Sequence, residues 1–129
     1  MKDRLLLPYI LLIILNFGCL NKEKREKVTL DQIPGVYSVD IHSRDSIFIF
    51  DDKSYEHRYY YNDSTYDVQL NSWRFEKENS TIIFNDFSFF NDSKEVAFRG
   101  VWSPTIYVNI EGKIKIESSE RVFYVKSED

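Results

Sequence analysis

The sequence predicts an all-β domain, an antiparallel meander of about eight strands that closes into a barrel, with a β-sandwich as the alternative. Apolar and polar residues alternate with a period of two over most of the chain after Val28, and no long stretch repeats apolar residues at helical spacing. β-branched residues are frequent, and aromatic residues make up 16% of the chain. Short polar clusters separate the alternating segments, as turns do.

An apolar run near the N-terminus predicts export from the cytoplasm. Residues 5–19 are almost wholly apolar and follow Lys2 and Arg4, which is the pattern of a secretory signal. The run is shorter than the about 20 apolar residues that a membrane-spanning helix needs. We therefore assign residues 1–18 to a signal peptide.

The end of this run, Gly18-Cys19, resembles the signal of bacterial lipoproteins, in which a small residue precedes a cysteine that is lipidated and becomes the new N-terminus. Asn16 and Phe17 differ from the residues of the stricter signal, and the alternative is an ordinary cleaved signal with an incidental cysteine. Cys19 is the only cysteine, so an internal disulfide does not explain it. The resemblance implies a lipid anchor on Cys19 in the cell envelope. Leu20, where Asp would imply inner-membrane retention, points to the outer membrane and leaves its periplasmic or surface face open.

A charged segment follows the cysteine. Residues 22–27 are six consecutive charged residues, which a core does not accommodate. We predict that residues 19–28 form the lipidated cysteine and a tether, and that residues 29–129 form a single domain. The net charge of −4 argues against a nucleic-acid partner.

The polar clusters divide the domain into eight predicted strands. Their positions are 35–42, 46–50, 54–61, 65–77, 81–90, 95–110, 113–117 and 121–126. The connections are short, so neighbours in sequence are expected to pair antiparallel. A closed barrel would then hide the edges of the meander.

Two of these strands are too long to be straight. In the fourth, Val68 and Leu70 take one parity and Trp73 takes the other, so we predict a bulge or bend near residues 71–72. In the sixth, Pro104 is expected to bend the strand or to lie on an edge. The parity of Trp102 matches that of the apolar residues around it, so both tryptophans are expected to face the interior.

Gly35-x-Tyr37, at the entrance to the first predicted strand, resembles the Gly-x-Trp entry of lipocalin-like barrels, with Tyr in place of Trp. The strand pattern of residues 33–126 is similar to that of small lipocalin-like bacterial lipoproteins. The resemblance implies a barrel with an internal ligand and no catalytic residue.

The chain lacks the motifs of enzymes and of metal sites. The spacing of His42 and His57 fits no zinc motif, so we interpret both as surface or strand histidines. His42, Ser43 and Asp45 are too close in sequence to converge as a catalytic triad. A nucleophile elbow and a phosphate-binding glycine loop are both missing from the sequence. We predict that the protein is not an enzyme and needs no metal or cofactor.

The aromatic residues are the candidates for binding. The run Tyr59 to Tyr61 must place at least one ring on each face of its strand, as a platform for a sugar or apolar ligand or as ordinary cross-strand packing. Tyr59, Tyr61, Trp73 and Trp102 are the predicted ligand-binding residues. Three phenylalanines beside a predicted loop are either core or the border of an opening: Phe87, Phe89 and Phe90.

These patterns predict a lipid-anchored envelope module that holds a small apolar or glycan ligand in or beside the barrel. The alternative is a protein-interaction module, either an inhibitor or an accessory subunit of an envelope complex. The predicted partners are accordingly the membrane, through the anchor, and either such a ligand or an envelope protein.

Overall fold

A computed structural model describes residues 24–39, 45–60, 66–90, 96–118 and 122–128. For Tyr66, Phe90, Val96 and Ala97 it describes the backbone alone. Cys19, Tyr61 and His42, which the sequence analysis singled out, lie outside the described residues.

The described residues form nine strands and two short 3-10 helices, which confirms the all-β class. The strands are β1 (Gly35–Val39), β2 (Asp45–Ile49), β3 (Ser54–Tyr60), β4 (Tyr66–Glu76), β5 (Thr81–Phe90), β6 (Val96–Trp102), β7 (Thr105–Val108), β8 (Ile114–Glu117) and β9 (Phe123–Lys126). The 3-10 helices are Leu30–Gln32 and Lys77–Asn79.

The strands form a closed antiparallel barrel of eight strands with one extra strand. The eight strands of the barrel wall are β1 to β5 and β7 to β9. Each of them pairs with the wall strand that comes next in sequence, and β9 returns to pair with β1. On one side of β5, Trp73 of β4 pairs with Phe84. On its other side, Thr105 of β7 pairs with Thr81, and β6 is the extra strand beside the second half of β5. The prediction of a barrel is therefore confirmed, and the described strands do not form the alternative β-sandwich.

The two ends of the barrel differ in what closes them. We call one end the base: it carries the turns at residues 50–53, 77–80 and 109–113 together with the first 3-10 helix. Val28 and Ile33, which flank that helix, are buried in the core. We call the opposite end the rim, where β1, β3, β5 and β8 end at Val39, Tyr60, Phe90 and Glu117. Residues 40–44, 61–65, 91–95 and 119–121 lie outside the described residues.

Aromatic side chains fill much of the barrel interior. The largest fully buried residues include Trp73, Tyr37, Tyr55, Phe84 and Phe87. Their polar atoms find backbone partners: the hydroxyl of Tyr37 donates to the Ile33 carbonyl at 2.7 Å, and the indole N–H of Trp73 donates to the Phe50 carbonyl at 2.9 Å. Trp73 is therefore buried as predicted, whereas Trp102 packs on the core but is only partly buried.

The predicted bulge in the fourth strand is wrong. The β3–β4 ladder runs without a register shift from Ser72 to Tyr66, so Gln69 shares the inward parity of Trp73. Val68 and Leu70 therefore face outward, and Leu70 is 71% exposed. The apolar pattern misled the prediction because an outward apolar pair and inward polar residues imitate a change of parity.

The irregularity lies in β5 instead. Phe84 pairs with Trp102 and Phe87 pairs with Gly100, so β5 has two residues between these pairs where β6 has one. Asp86, one of the two, has a φ of 51°. The bulge restores the inward parity for Phe87, so both halves of β5 present aromatic rings to the interior.

Pro104 divides the predicted sixth strand into β6 and β7. It has no N–H to donate, but its carbonyl accepts from the N–H of Ile82 at 3.0 Å. Before Pro104, β6 pairs with the second half of β5 as the extra strand. After Pro104, β7 pairs with β8 as part of the barrel wall.

The end of the predicted tether lies against the barrel. Glu26 and Val108 of β7 exchange two backbone hydrogen bonds of 2.9 and 2.8 Å in an antiparallel bridge. The side chain of Val28, two residues later, is buried. Residues 24–28, which we call the docked segment, are therefore held to the β7 side of the barrel.

Candidate functional site at the rim of the barrel

An aromatic cluster occupies the rim half of the interior, around Trp102. The ring centroids of Phe87, Phe89 and Tyr124 lie 4.6, 5.0 and 5.8 Å from that of the indole. Pairs at such distances attract each other by about 0.5–1.5 kcal/mol beyond the area that they bury. Phe89 and Trp102 are only partly buried, and Phe98, whose ring lies 6.0 Å from that of Phe89, is 52% exposed. Part of this aromatic surface is therefore open to solvent.

A polar network lies beside the cluster. One carboxylate oxygen of Asp45 is 2.6 Å from Nε2 of His57, and the other accepts a hydrogen bond of 2.8 Å from the hydroxyl of Tyr124. His57 is buried, and its ring stacks on that of Phe87 with centroids 4.4 Å apart. Asp45 is thus fixed at both oxygens, next to the aromatic surface.

Strand register brings these three residues together. The β2–β3 ladder pairs Asp45 with Tyr59 and Ile47 with His57, so Asp45 and His57 are diagonal neighbours on the inward face. Tyr124 comes from β9, where it pairs with Val39 of β1. Burial, and then the negative charge of Asp45, raise the pKa of Tyr124. The phenol therefore keeps its proton and remains a hydrogen-bond donor at neutral pH.

A seam runs beside the cluster, between β4 and β5. The ladder of these strands covers residues 73–76 and 81–84, and beyond it side chains connect the two strands. The side-chain oxygen of Gln69 accepts from the backbone N–H of Ser88 at 3.1 Å, and the amide of Asn85 donates to the hydroxyl of Ser72 at 2.8 Å. Side-chain hydrogen bonds therefore take the place of the backbone ladder along this seam.

The hydroxyl of Ser88 is a polar atom without a partner at the seam. Ser88 is fully buried, and its Oγ has no hydrogen-bond partner in the described part of the chain. A buried hydroxyl without a partner is uncommon and costs about 1–3 kcal/mol. It provides an unused donor and acceptor beside Gln69.

The structure separates the predicted ligand-binding residues. Trp102 lies in the rim cluster, and Tyr59 lies on β3 opposite Asp45, in the same half of the barrel. Trp73 lies at the base, where Lys53 Nζ is 4.3 Å from its ring centroid. Tyr61 and Cys19, the predicted lipidation residue, fall outside the described residues. Tyr59 and Trp102 therefore belong to one region, and Trp73 does not.

The sequence analysis missed the Asp45–His57 pair. It considered these residues for a zinc site and dismissed them on spacing, yet they lie next to each other across β2 and β3. A usable signal was present, because Asp45 continues the parity of Ile47 and Ile49 and is therefore inward. The sequence carries no comparable signal for Tyr124, which lies 79 residues from Asp45.

Among the described residues, no three His, Cys, Asp or Glu side chains are grouped as metal ligands would be. No helix in the same part of the chain is long and apolar enough to cross a membrane. Comparison of the chain with family models, with curated proteins and with solved structures finds no match. The structure therefore identifies a small all-β domain built on an eight-stranded antiparallel barrel.

Proposed function

We propose that the protein is a lipid-anchored binding module of the cell envelope, anchored at Cys19, which holds a small apolar or glycan ligand at the rim of its barrel. The main support is the partly exposed aromatic surface of Phe89, Phe98 and Trp102. This surface lies beside the hydrogen-bond network of Asp45, His57 and Tyr124. Small-molecule sites are mostly apolar and contain a few fixed polar groups, which is the composition of this region.

A sugar ring fits this combination of groups. Its apolar face stacks on an aromatic side chain such as Trp102, and its hydroxyl groups need hydrogen-bond partners at the edge of that stack. Asp45 and Tyr59 provide such partners in the same half of the barrel. Asp45 is held by His57 and Tyr124, so its orientation costs little entropy on binding.

The same network favours binding over catalysis. Both oxygens of Asp45 already have partners, and the ring of His57 is buried against Phe87. A general base must reach the proton that it removes, and His57, which is 1% exposed, does not face an open surface.

Native mass spectrometry of the protein purified from its own membranes tests the ligand proposal. We expect a co-purified small molecule that is retained by the wild type and lost from Phe98→Ser. Val101→Ser is the matched control, because Val101 lies on the same strand with the opposite parity and is 61% exposed, against 52% for Phe98. Equal retention by both variants, or an empty wild type, would contradict a ligand at the rim.

Detergent-phase partition tests the anchor separately. The wild-type protein is expected in the detergent phase, because more than one acyl chain gives stable membrane attachment. Cys19→Ala is expected in the aqueous phase or as unprocessed precursor. A wild type that stays in the aqueous phase would show that Cys19 is not lipidated.

The second candidate function is protein interaction, through the outer face of β4. Val68 and Leu70 are both exposed there, and in the described residues the rim half of β4 forms a ladder with β3 only. An exposed apolar pair on a strand face can contact a partner protein, as an inhibitor or accessory subunit would use it. Pull-down of one stoichiometric envelope protein, lost in Leu70→Ser and kept in Phe98→Ser, would favour this function over the first.

A further inference from the structure

We infer that the base of the barrel is the surface that contacts the bilayer carrying the lipid anchor, so that the rim points into the aqueous compartment. This inference rests on the lipidation of Cys19 in the proposed function. It adds an orientation: the ligand would reach the aromatic cluster from water and not from the membrane.

The docked segment sets the direction in which the chain leaves the barrel. The bridge between Glu26 and Val108 is antiparallel, so the chain before Glu26 runs toward the turn at residues 109–113, which belongs to the base. The guanidinium of Arg25 holds the segment with two hydrogen bonds of 2.9 and 3.2 Å to Glu117. The same guanidinium lies 4.0 Å from the ring centroid of Tyr107. The anchor is thereby attached on the base side.

The chain between anchor and barrel is short. Five residue steps separate Cys19 from Lys24, the first residue of the docked segment. Fully extended, they span about 18 Å at most. The acyl chains of a lipidated cysteine lie in the hydrocarbon region, which places Cys19 at the membrane interface. The base must therefore stay within about 18 Å of that interface, close enough to touch it.

The base also exposes apolar side chains on three separate segments. They are Leu30 in the first 3-10 helix, Phe50 in the β2–β3 turn and Ile110 in the β7–β8 turn, and Ile110 is 76% exposed. Apolar groups of interfacial proteins lie about 5–10 Å deep in the headgroup and acyl boundary, which isolated turn residues can reach. These three side chains are the proposed contact.

Charge does not select the lipid in this contact. Exposed lysines and acidic residues both surround the apolar side chains: Lys53, Lys77, Lys113, Asp31, Asp51, Asp52, Glu78 and Glu111. The acidic residues are at least as numerous as the lysines. The contact is therefore apolar, and we expect it on zwitterionic phosphatidylcholine vesicles without anionic lipid.

The test uses the lipidated protein in phosphatidylcholine vesicles that contain nitroxide-labelled lipid. Cys19 is the only native cysteine and its thiol is occupied by the anchor, so Ile110→Cys offers a single site for an environment-sensitive fluorophore. Leu70→Cys is the matched control, with an original side chain 71% exposed against 76% for Ile110. The label at position 110 is expected to shift to shorter wavelength and to be quenched several-fold more strongly than the label at position 70.

Flotation of the vesicles separates the two ways in which the inference can fail. If the protein floats with the vesicles and both labels are quenched equally, the orientation is wrong and the anchor stands. If the wild type does not float, the lipid anchor is wrong and the orientation falls with it.

A second pair of variants tests the role of the docked segment. Arg25→Ala should lower the quenching at position 110 in part while the protein still floats, because the segment loses its side-chain contacts to Glu117 and Tyr107 and keeps the backbone bridge to Val108. Arg99→Ala removes a comparable exposed ion pair, with Asp86 at 2.7 Å, and should leave the quenching unchanged. Equal effects of the two variants would overturn the proposed orientation.

Discussion

Removal of one hydroxyl group, in Tyr124→Phe, tests the polar network in the barrel. The lost hydrogen bond joins the phenol to a carboxylate, and bonds to charged groups contribute about 1.5–3 kcal/mol. The side chain of Asp45 is 22% exposed, so water can replace part of the lost bond and the lower end of the range applies. We expect a loss of about 1.5 kcal/mol in the free energy of unfolding, measured by urea denaturation of the purified protein.

Two further variants show whether this loss comes from the carboxylate. Tyr37→Phe removes a neutral hydrogen bond to a backbone carbonyl and should cost about 1 kcal/mol. In an Asp45→Asn background, the cost of Tyr124→Phe should fall, because the acceptor is no longer charged. A coupling energy within about 0.5 kcal/mol of zero in this double-mutant cycle would refute the reasoning.

Three other measurements follow from the structure. In single-tryptophan variants, iodide should barely quench the emission of buried Trp73 and should quench partly exposed Trp102 more; equal quenching would contradict the burial. Gly35→Ala should lower the free energy of unfolding by about 1–3 kcal/mol, because Gly35 has a φ of 152°, which L residues rarely adopt; the flexible end of Lys126 that a Cβ would meet can move aside. Gly112→Ala, at a φ of 79° in the left-handed region and with open space around it, should be less strained and cost less in the same urea titration. Burial raises the pKa of three tyrosines in the fold: Tyr37, Tyr55 and Tyr124. In the unfolded chain they lose their protons near pH 10, so the stability that they contribute is present below pH about 10 and declines above it. Absorbance at 295 nm should show part of the tyrosines ionising together with unfolding, and a simple titration of all of them near pH 10 would contradict this.

Strand positions were predictable because the signals for them are local. β3 and β5 begin at the predicted residues, and Pro104 interrupts the sixth predicted strand as expected from its missing N–H.

The face of β4 was not predictable from the same rule. Gln69 faces inward because its neighbours across the strands, His57 and the backbone of Ser88, provide polar surroundings there. Leu70 is the next residue along β4, so its side chain lies on the opposite, outward face although it is apolar. A prediction from alternation assumes that apolar residues face inward, and this assumption fails where part of the interior is polar.

The candidate site was predictable only in part. Aromatic richness pointed to Trp102 and Tyr59, but equally to Trp73, whose indole contacts the base turn at Phe50 and Lys53. Trp73 and Trp102 pair with Phe84 from opposite sides of β5, so which of them shares a site with Tyr59 depends on which side chains meet in the closed barrel, whereas a period of two gives only the face of a strand.

The sequence by itself determined the all-β class, the order of the strands and the pairing of neighbours, because each depends on residues close together in the chain. Only the tertiary structure decided how β9 closes the barrel on β1, where the bulge lies in β5, and that Asp45, His57 and Tyr124 meet. These features join residues far apart in sequence. Their free energy comes from interior packing and from hydrogen bonds that exist only once the barrel has closed.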